Sequence, residues 1–152
     1  LLLVARRQNT TRPIIEIKDS QKGLFRTLQL TDSVVSIVHR MKMQGYVEYI
    51  SFNYDVLKRI RQLDPTAKIL YLMEGKKELQ DLVNDSISGI DYSYYAYRQD
   101  KNLFQKAKEK GLLTNVWTVN NAEELFLYYQ LGLDYITTDE PELLLKIIKS
   151  LK

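Results

Sequence analysis

The chain has 152 residues, of which 45% are hydrophobic and 27% charged, a balance typical of one globular domain with its own core. The net charge of +3 is small and basic residues are mixed with acidic ones, so solvated helix surfaces are favoured over a nucleic-acid interface or a membrane-binding patch. The lack of cysteine excludes disulfides and thiolate metal sites, and it leaves the cellular compartment open. No apolar run approaches the roughly 18 residues of a membrane helix.

Apolar runs of strand length alternate with amphipathic stretches of helix length along the whole chain, which predicts βα units and a parallel sheet. The opening residues, 1–5, resemble the last turns of a helix, and we expect further sequence to precede them. The predicted strands are residues 13–18, 47–52, 68–73, 88–92, 115–119 and 135–138. The predicted helices are residues 31–43, 54–63, 77–84, 101–110, 122–131 and 141–151.

Local signals predict several helix boundaries. Asp64, followed by a proline, should end one helix, and Gly132 occupies a position where a helix C-cap is expected. Asn121 is placed to cap the helix that follows it, and Asp139 is placed to cap the last helix. These boundaries agree with the alternation of strands and helices.

The number of units bears on the fold class. Six βα units of about 25 residues fill the chain, whereas a complete eight-unit barrel takes roughly 250 residues. The six units are therefore either a complete open sheet or the last six of a barrel, and the helix-like opening favours the barrel. We predict one α/β domain over residues 1–152, an incomplete parallel (β/α) TIM-type barrel containing strands three to eight.

The first predicted strand carries charged side chains at its end. Alternation places Ile15 and Ile17 on one face and Glu16 and Lys18 on the other. Central parallel strands are covered on both faces, so these charges need a partner, a metal or a cleft. In a barrel, the carboxyl end of a strand is where active sites lie. The alternatives are an edge strand with one exposed face or a structural Glu–Lys pair.

Five short segments follow one another in a characteristic order. They are Glu-Ile-Lys, a strand ending in Ser-Phe, Asp-Pro-x-x-Lys, Trp-Thr-Val-Asn and Gly-x-Asp-x-Ile-x-Thr-Asp-x-Pro, at residues 16–18, 51–52, 64–68, 117–120 and 132–141. This order resembles the glycerophosphodiester phosphodiesterase family over nearly the whole chain. The resemblance implies metal-dependent hydrolysis of glycerophosphodiesters to glycerol 3-phosphate and an alcohol.

The resemblance also implies roles for four residues. Glu16 matches a ligand of the divalent metal ion, Mg²⁺ or Ca²⁺, and Lys18 matches a residue that contacts the substrate phosphate. These residue types suit the chemistry, because hard cations prefer carboxylate oxygens and an ammonium offsets phosphate charge. Trp117 is expected to contact the glycerol part of the substrate, and Phe52 to lie at the site mouth. For both aromatic residues, the alternative is simple packing.

The catalytic histidines of the family have no counterpart here. In family members one histidine acts as base or nucleophile and another as acid, and the first belongs to a His-Arg-Gly strand. His39 is followed by Arg40, but it lies in a helical pattern and precedes a strand. We therefore predict no catalytic residue in this chain.

This absence leads to two interpretations. In the first, a missing N-terminal barrel segment of a larger parent enzyme supplies the histidines, and this chain alone is inactive and either self-associates or needs that segment to be soluble. The parent is then either cytoplasmic or anchored to a membrane. In the second, the chain is a non-catalytic α/β binding or assembly module that retains the barrel scaffold. A tyrosine-rich run, residues 92–98, is predicted to be a loop that packs against the domain or contacts substrate.

Overall fold

The computed structural model describes residues 2–7 and 10–151. Within these residues, the chain forms a sheet of six strands, with eight helices. The strands are β1 Ile14–Glu16, β2 Glu48–Ser51, β3 Lys68–Tyr71, β4 Gly89–Ser93, β5 Leu113–Trp117 and β6 Tyr135–Ile136. The helices are α1 Leu2–Ala5, α2 Leu24–Arg40, α3 Tyr54–Leu63, α4 Leu79–Asn84, α5 Tyr94–Gln99, α6 Leu103–Glu109, α7 Ala122–Leu131 and α8 Pro141–Ser150.

The sheet topology is that of a barrel. Each strand pairs in parallel with the next strand along the chain, so the order is β1-β2-β3-β4-β5-β6. A doubly wound sheet reverses its strand order at a switch point, and this sheet does not. The predicted fold class, an α/β barrel of the TIM type with part of its strands, is confirmed. In the described part of the chain, β1 and β6 lie at the two edges.

A polar contact shows that the sheet is curled. The Tyr135 hydroxyl on β6 donates a 3.1 Å hydrogen bond to Oε1 of Glu48 on β2. A flat sheet would hold these strands, four positions apart, about 19 Å from each other. The Glu48 side chain is only 2% exposed, and Oε1 also lies 3.5 Å from Lys68 Nζ and 3.7 Å from an Arg12 nitrogen. This cluster closes the amino-terminal end of the curled sheet.

The core consists of apolar side chains from the strands and from the helices that follow them. Ile69, Ile90 and Val116 are wholly buried in the central strands. The helices contribute further wholly or nearly wholly buried residues, which are Val35, Val38, Val56, Leu57, Ile60, Leu82, Ala107 and Leu125. Each fully buried aliphatic side chain contributes about 1.5–3 kcal/mol. No helix of the described residues is long and apolar enough to cross a membrane.

Most predicted elements are confirmed, and α3 and α7 have the predicted bounds. The exception among the long helices is α2, which begins at Leu24 instead of residue 31. Its first turns bury threonines instead of aliphatic residues, and a search for apolar periodicity misses them. The Thr27 and Thr31 hydroxyls donate hydrogen bonds to the carbonyl oxygens one turn earlier, of Gly23 at 3.2 Å and of Thr27 at 3.0 Å.

The predicted helix boundaries are mostly confirmed. The Asn121 side chain accepts a 2.8 Å hydrogen bond from the Glu124 N–H, and Gly132 takes the left-handed conformation that ends α7. The prediction for Asp139 is wrong. The residue at the N-cap of α8 is Glu140, and Asp139 Oδ2 instead accepts a 2.9 Å hydrogen bond from Asn120.

The prediction of a loop over residues 92–98 is also wrong. Tyr92 and Ser93 end β4, and Tyr94–Gln99 form α5. Buried tyrosines stabilise this arrangement, since Tyr97 donates a 2.9 Å hydrogen bond to the Asn115 carbonyl. Tyr92 and Tyr97 of this run are therefore buried in the domain, which is the packing that one of the two sequence-based interpretations expected, whereas Tyr95 is exposed.

The contact between β2 and β6 predicts a measurable effect on stability. Tyr135→Phe should lower the free energy of unfolding by about 1.5 kcal/mol, because it removes a hydrogen bond to a buried carboxylate. The measurement is urea denaturation of the purified protein. The matched control is Tyr129→Phe, on the partly exposed surface of α7, which should change stability by less than about 0.5 kcal/mol. Equal losses in the two variants would contradict the role given to Tyr135.

Candidate active site

A cavity of about 280 Å³ lies at the carboxyl ends of the strands. Every strand of the described sheet contributes a lining residue from among its last three residues or just beyond them, namely Glu16, Ile50, Leu72, Asp91, Trp117 and Thr137. Active sites of TIM barrels lie at this end. The four residues singled out from the sequence, Glu16, Lys18, Phe52 and Trp117, all line this one cavity. The structure brings them together, and their individual roles stay predictions.

A larger cavity of about 490 Å³ lies near the amino ends of the strands. Its lining includes the basic residues Arg6, Arg7 and Lys42. None of its described lining residues is a histidine or a carboxylate, and barrel active sites lie at the opposite end of the strands. We therefore place the candidate site in the smaller cavity.

Strand β2 positions Glu16 and Lys18 through Ile17, the residue between them. The Ile17 N–H donates to the Ile50 carbonyl at 3.0 Å, and the Ser51 hydroxyl donates to the Ile17 carbonyl at 2.7 Å. Ile17 itself is buried in the core. Because neighbouring side chains alternate in direction, burial of Ile17 turns Glu16 and Lys18 toward the cavity.

Glu16 and Lys18 form a weak pair. Lys18 Nζ lies 3.5 Å from Glu16 Oε2. The Lys18 side chain is 75% exposed and the Glu16 side chain is 31% exposed. An exposed pair of this kind contributes about 1 kcal/mol at most. Both alternatives raised by the sequence are therefore present, since β1 is an edge strand of the described sheet and the charges are paired. The pair is weak enough for a ligand to separate the two groups at little cost.

Asp91 is a site residue that the sequence analysis missed. It lines the cavity but is only 2% exposed, and its Oδ1 accepts a 2.7 Å hydrogen bond from Asn115 Nδ2. The same Asn115 amide nitrogen lies 2.9 Å from Thr137 Oγ1. Burial raises the pKa of Asp91 to about 7, the Asn115 hydrogen bond opposes this shift, and the charge of Glu16 adds to it.

A signal for Asp91 was available in the sequence. In the run Gly89–Ser93, the apolar Ile90 and the carboxylate of Asp91 alternate as Ile15 and Glu16 do in β1. The start of the strand is also constrained, because a Cβ on Gly89 would lie 2.3 Å from the Leu113 carbonyl oxygen. Applying the alternation test to every strand would have found this carboxylate.

Two aromatic residues form the apolar side of the cavity. Phe52 and Trp117 meet edge to face, with ring centroids 5.9 Å apart. The indole N–H of Trp117 donates a 2.8 Å hydrogen bond to the Asp91 carbonyl oxygen, which orients the ring. The peptide bond between Trp117 and Thr118 is cis. The rings thus pack against each other and also face the cavity, so packing and substrate contact are compatible.

His39 does not line this cavity. It lies on α2, and its Nε2 is 3.0 Å from Oδ2 of the buried Asp64. Burial of Asp64 disfavours its ionised form, but hydrogen bonds from His39 and Thr66 outweigh this effect and hold the pKa of the carboxyl below its ordinary value. This arrangement ties α2 to the end of α3.

The Asp64 carboxylate should stabilise the fold in a pH-dependent manner. Its pKa is lowered by folding, so its contribution is complete above the pKa of the unfolded chain, about 3.9, and is lost as the pH falls further. We expect Asp64→Asn to lower the free energy of unfolding by about 1–2 kcal/mol at pH 7 and by less at pH 3. Urea denaturation at both pH values measures this. A difference that is constant with pH would contradict the assignment.

The cavity offers carboxylate oxygens to a metal ion, but too few for a complete site. Within residues 2–7 and 10–151, no three histidine, aspartate or glutamate residues are grouped so that they could hold a metal. Glu16 is of the type that a hard cation prefers, and its side chain is accessible from the cavity. Glu16 therefore fits as one ligand of such an ion.

Comparison with known proteins supports the sequence-based interpretation. The model of the glycerophosphoryl diester phosphodiesterase family matches residues 7–143. The chain belongs to this family. No curated protein sequence matches it significantly. The family prediction is thus confirmed by the family model.

Solved structures show the same fold. A glycerophosphodiester phosphodiesterase from Parabacteroides distasonis is 31% identical, with a TM-score of 0.92 over 99% of this chain and 62% of its own. One from Agrobacterium tumefaciens is 17% identical, with a TM-score of 0.69 over 90% of this chain and 55% of its own. An Oleispira antarctica phosphodiesterase, in complex with the product sn-glycerol-3-phosphate, is 19% identical. Its TM-score is 0.66 over 80% of this chain and 51% of its own. This chain therefore spans about half to three-fifths of the length of these proteins.

Proposed function

We propose that this chain is part of an enzyme that hydrolyses glycerophosphodiesters to glycerol 3-phosphate and an alcohol. The observation that carries the proposal is the cavity at the carboxyl ends of the strands, which brings together Glu16, Lys18, Phe52 and Trp117. Membership of the family supports it, as does the product bound to the Oleispira protein. The proposed substrate is a small molecule, and we propose no nucleic-acid partner.

Each residue of the cavity has a proposed task. Lys18 places an ammonium where it offsets the charge of the substrate phosphate, and its weak pairing with Glu16 leaves it free to do so. Trp117 and Phe52 offer an apolar surface to the carbon atoms of the substrate and exclude water from one side. Glu16 would hold a divalent cation, Mg²⁺ or Ca²⁺. When bound, that ion would stabilise negative charge on the phosphate oxygens.

The proton transfers of hydrolysis need further groups. Water must lose a proton as its oxygen bonds to phosphorus, and the departing alkoxide must gain one, so an acid and a base must lie within hydrogen-bond reach. No histidine of the described residues lines the cavity. His39 lies on α2, where it is hydrogen-bonded to Asp64 at the end of α3. We propose that the acid, the base and the remaining metal ligands belong to an N-terminal barrel segment of a larger parent protein.

The alternative is a non-catalytic α/β module that binds a ligand or another protein. The observation in its favour is the same lack of a described histidine at the cavity. The two proposals differ in what the parent protein contains. Sequencing the coding region upstream tests them, because a His-Arg-Gly strand and a strand with paired carboxylates would support the enzyme, and their absence would support the module.

The proposed role of Glu16 predicts a large loss of activity. In the parent protein, Glu16→Gln should lower kcat/KM for glycerophosphocholine by roughly 100-fold or more, as expected when a group that stabilises the transition state is removed. The melting temperature should stay near that of the wild type. The matched control, Glu142→Gln on the exposed surface of α8, should keep full activity. Wild-type activity in the Glu16 variant would contradict the role.

The 152-residue chain by itself should lack activity and self-associate. Its described sheet has β1 and β6 at the edges, and open strand edges promote association between chains. Exposed apolar residues, including Leu3, Val4 and Leu145, add to this tendency. The measurements are glycerophosphocholine hydrolysis with Mg²⁺ and with Ca²⁺, and the mass in solution by light scattering. Efficient turnover by a monodisperse monomer would contradict both expectations.

A further inference from the structure

Asp91 combines two properties that rarely occur together. It is among the most deeply buried charged residues, at 2% exposure, yet it lines the cavity. Oδ1 is held by Asn115 at 2.7 Å. Oδ2 makes no hydrogen bond to another described residue, and it is not one of the polar atoms sealed within the protein. One carboxylate oxygen is therefore fixed by the sheet, and the other is left for whatever occupies the cavity.

The charges around Asp91 do not explain its burial. No lysine or arginine of the described residues forms an ion pair with it, and Lys18 is paired with Glu16 instead. The charge of Glu16 makes an ionised Asp91 less favourable. A buried carboxyl with no ion-pair partner and with one oxygen lacking a hydrogen bond is costly, so a ligand that supplies a hydrogen-bond donor would remove a cost already present in the free protein.

The neighbours of Asp91 indicate what kind of ligand fits. Trp117 lies beside it, and its indole ring is oriented by a 2.8 Å hydrogen bond to the Asp91 carbonyl oxygen. Ile50, Leu72 and Phe52 add apolar surface to the same cavity. A neutral polyol suits this setting, because its C–H groups can pack on the ring while a hydroxyl reaches the carboxyl oxygen. A phosphate would be repelled by the carboxylates and belongs beside Lys18.

We infer that Asp91 is a specificity residue that accepts, at Oδ2, a hydrogen bond from a hydroxyl of the glycerol part of the substrate. The inference rests on the proposed function and assigns the glycerol end of the substrate to β4 and β5, with the phosphate at β1. Asn115 acts as a positioning residue, because its amide donates to Asp91 Oδ1 and also contacts Thr137. The cavity then selects glycerol esters over phosphodiesters that lack hydroxyl groups.

The test is calorimetric binding of glycerol 3-phosphate and of inorganic phosphate to the parent protein. Asp91→Leu should weaken glycerol 3-phosphate binding roughly ten-fold, the loss expected for a hydrogen bond worth about 1.4 kcal/mol, and should not weaken phosphate binding. Lys18→Met should weaken both ligands. The matched control is Asp55→Leu, at an exposed position of α3, which should bind both ligands as the wild type does.

Asp91→Asn keeps the test decisive if the leucine variant does not fold. Asparagine preserves the shape and the hydrogen bond to Asn115, so this variant should fold and should weaken only glycerol 3-phosphate binding, by roughly three-fold. Unchanged glycerol 3-phosphate binding in the Asp91 variants, or equal losses for phosphate, would overturn the inference. Phosphocholine is measured as a third ligand, and a loss confined to it would also overturn the inference, because the carboxylate and Trp117 would then bind a cation.

Failure of the proposed function gives a different result. A wild-type parent that neither binds glycerol 3-phosphate nor hydrolyses glycerophosphocholine would refute the enzyme itself. A wild-type parent that does both, with an Asp91→Leu variant equal to it on glycerophosphocholine, would refute only the role of Asp91. Hydrolysis of a phosphodiester without hydroxyl groups serves as the second readout, and Asp91→Leu should leave its kcat/KM unchanged.

Discussion

The hydrogen bond between Tyr135 and Glu48 joins two strands that a flat sheet would hold far apart, and the rest of the structure depends on the curvature that it records. Curvature gives the sheet a concave face, which the interior side chains of every described strand share. It also converts the carboxyl ends of the strands from a row into an arc. Residues distant in sequence, such as Glu16 and Asp91, then affect each other electrostatically.

The two ends of this curled sheet use buried carboxylates differently. At the amino end, one oxygen of Glu48 collects a tyrosine, a lysine and an arginine, which suits a stabilising cluster. At the carboxyl end, Asp91 has an amide on one oxygen and an open cavity at the other. The other oxygen of Glu48, Oε2, is sealed within the protein without a described hydrogen-bond partner, whereas Oδ2 of Asp91 is not sealed within the protein. Unsatisfied polar groups that face a cavity are what a binding site requires.

The same geometry explains how substrate binding and fold stability are separated. The aliphatic core lies between the strands and the helices, and neither this core nor the His39–Asp64 pair contributes a lining residue to the candidate site. The concave face holds the charged and aromatic residues on short strand ends. Substitutions in the cavity can therefore change ligand binding while the packing between strands and helices is preserved.

The sequence alone determined the order of strands and helices, because hydrophobic periodicity and capping residues such as Asn121 are local properties. It also determined which face of β1 carries Glu16, since alternation along a strand is local too. It did not show that α2 begins at Leu24, because buried threonines hide the period. Only the tertiary structure decided that Asp91 belongs to the site. Its hydrogen bond to Asn115 depends on the pairing of β4 with β5, and its burial and its place at the cavity depend on how the whole sheet folds, none of which is a local property of the sequence.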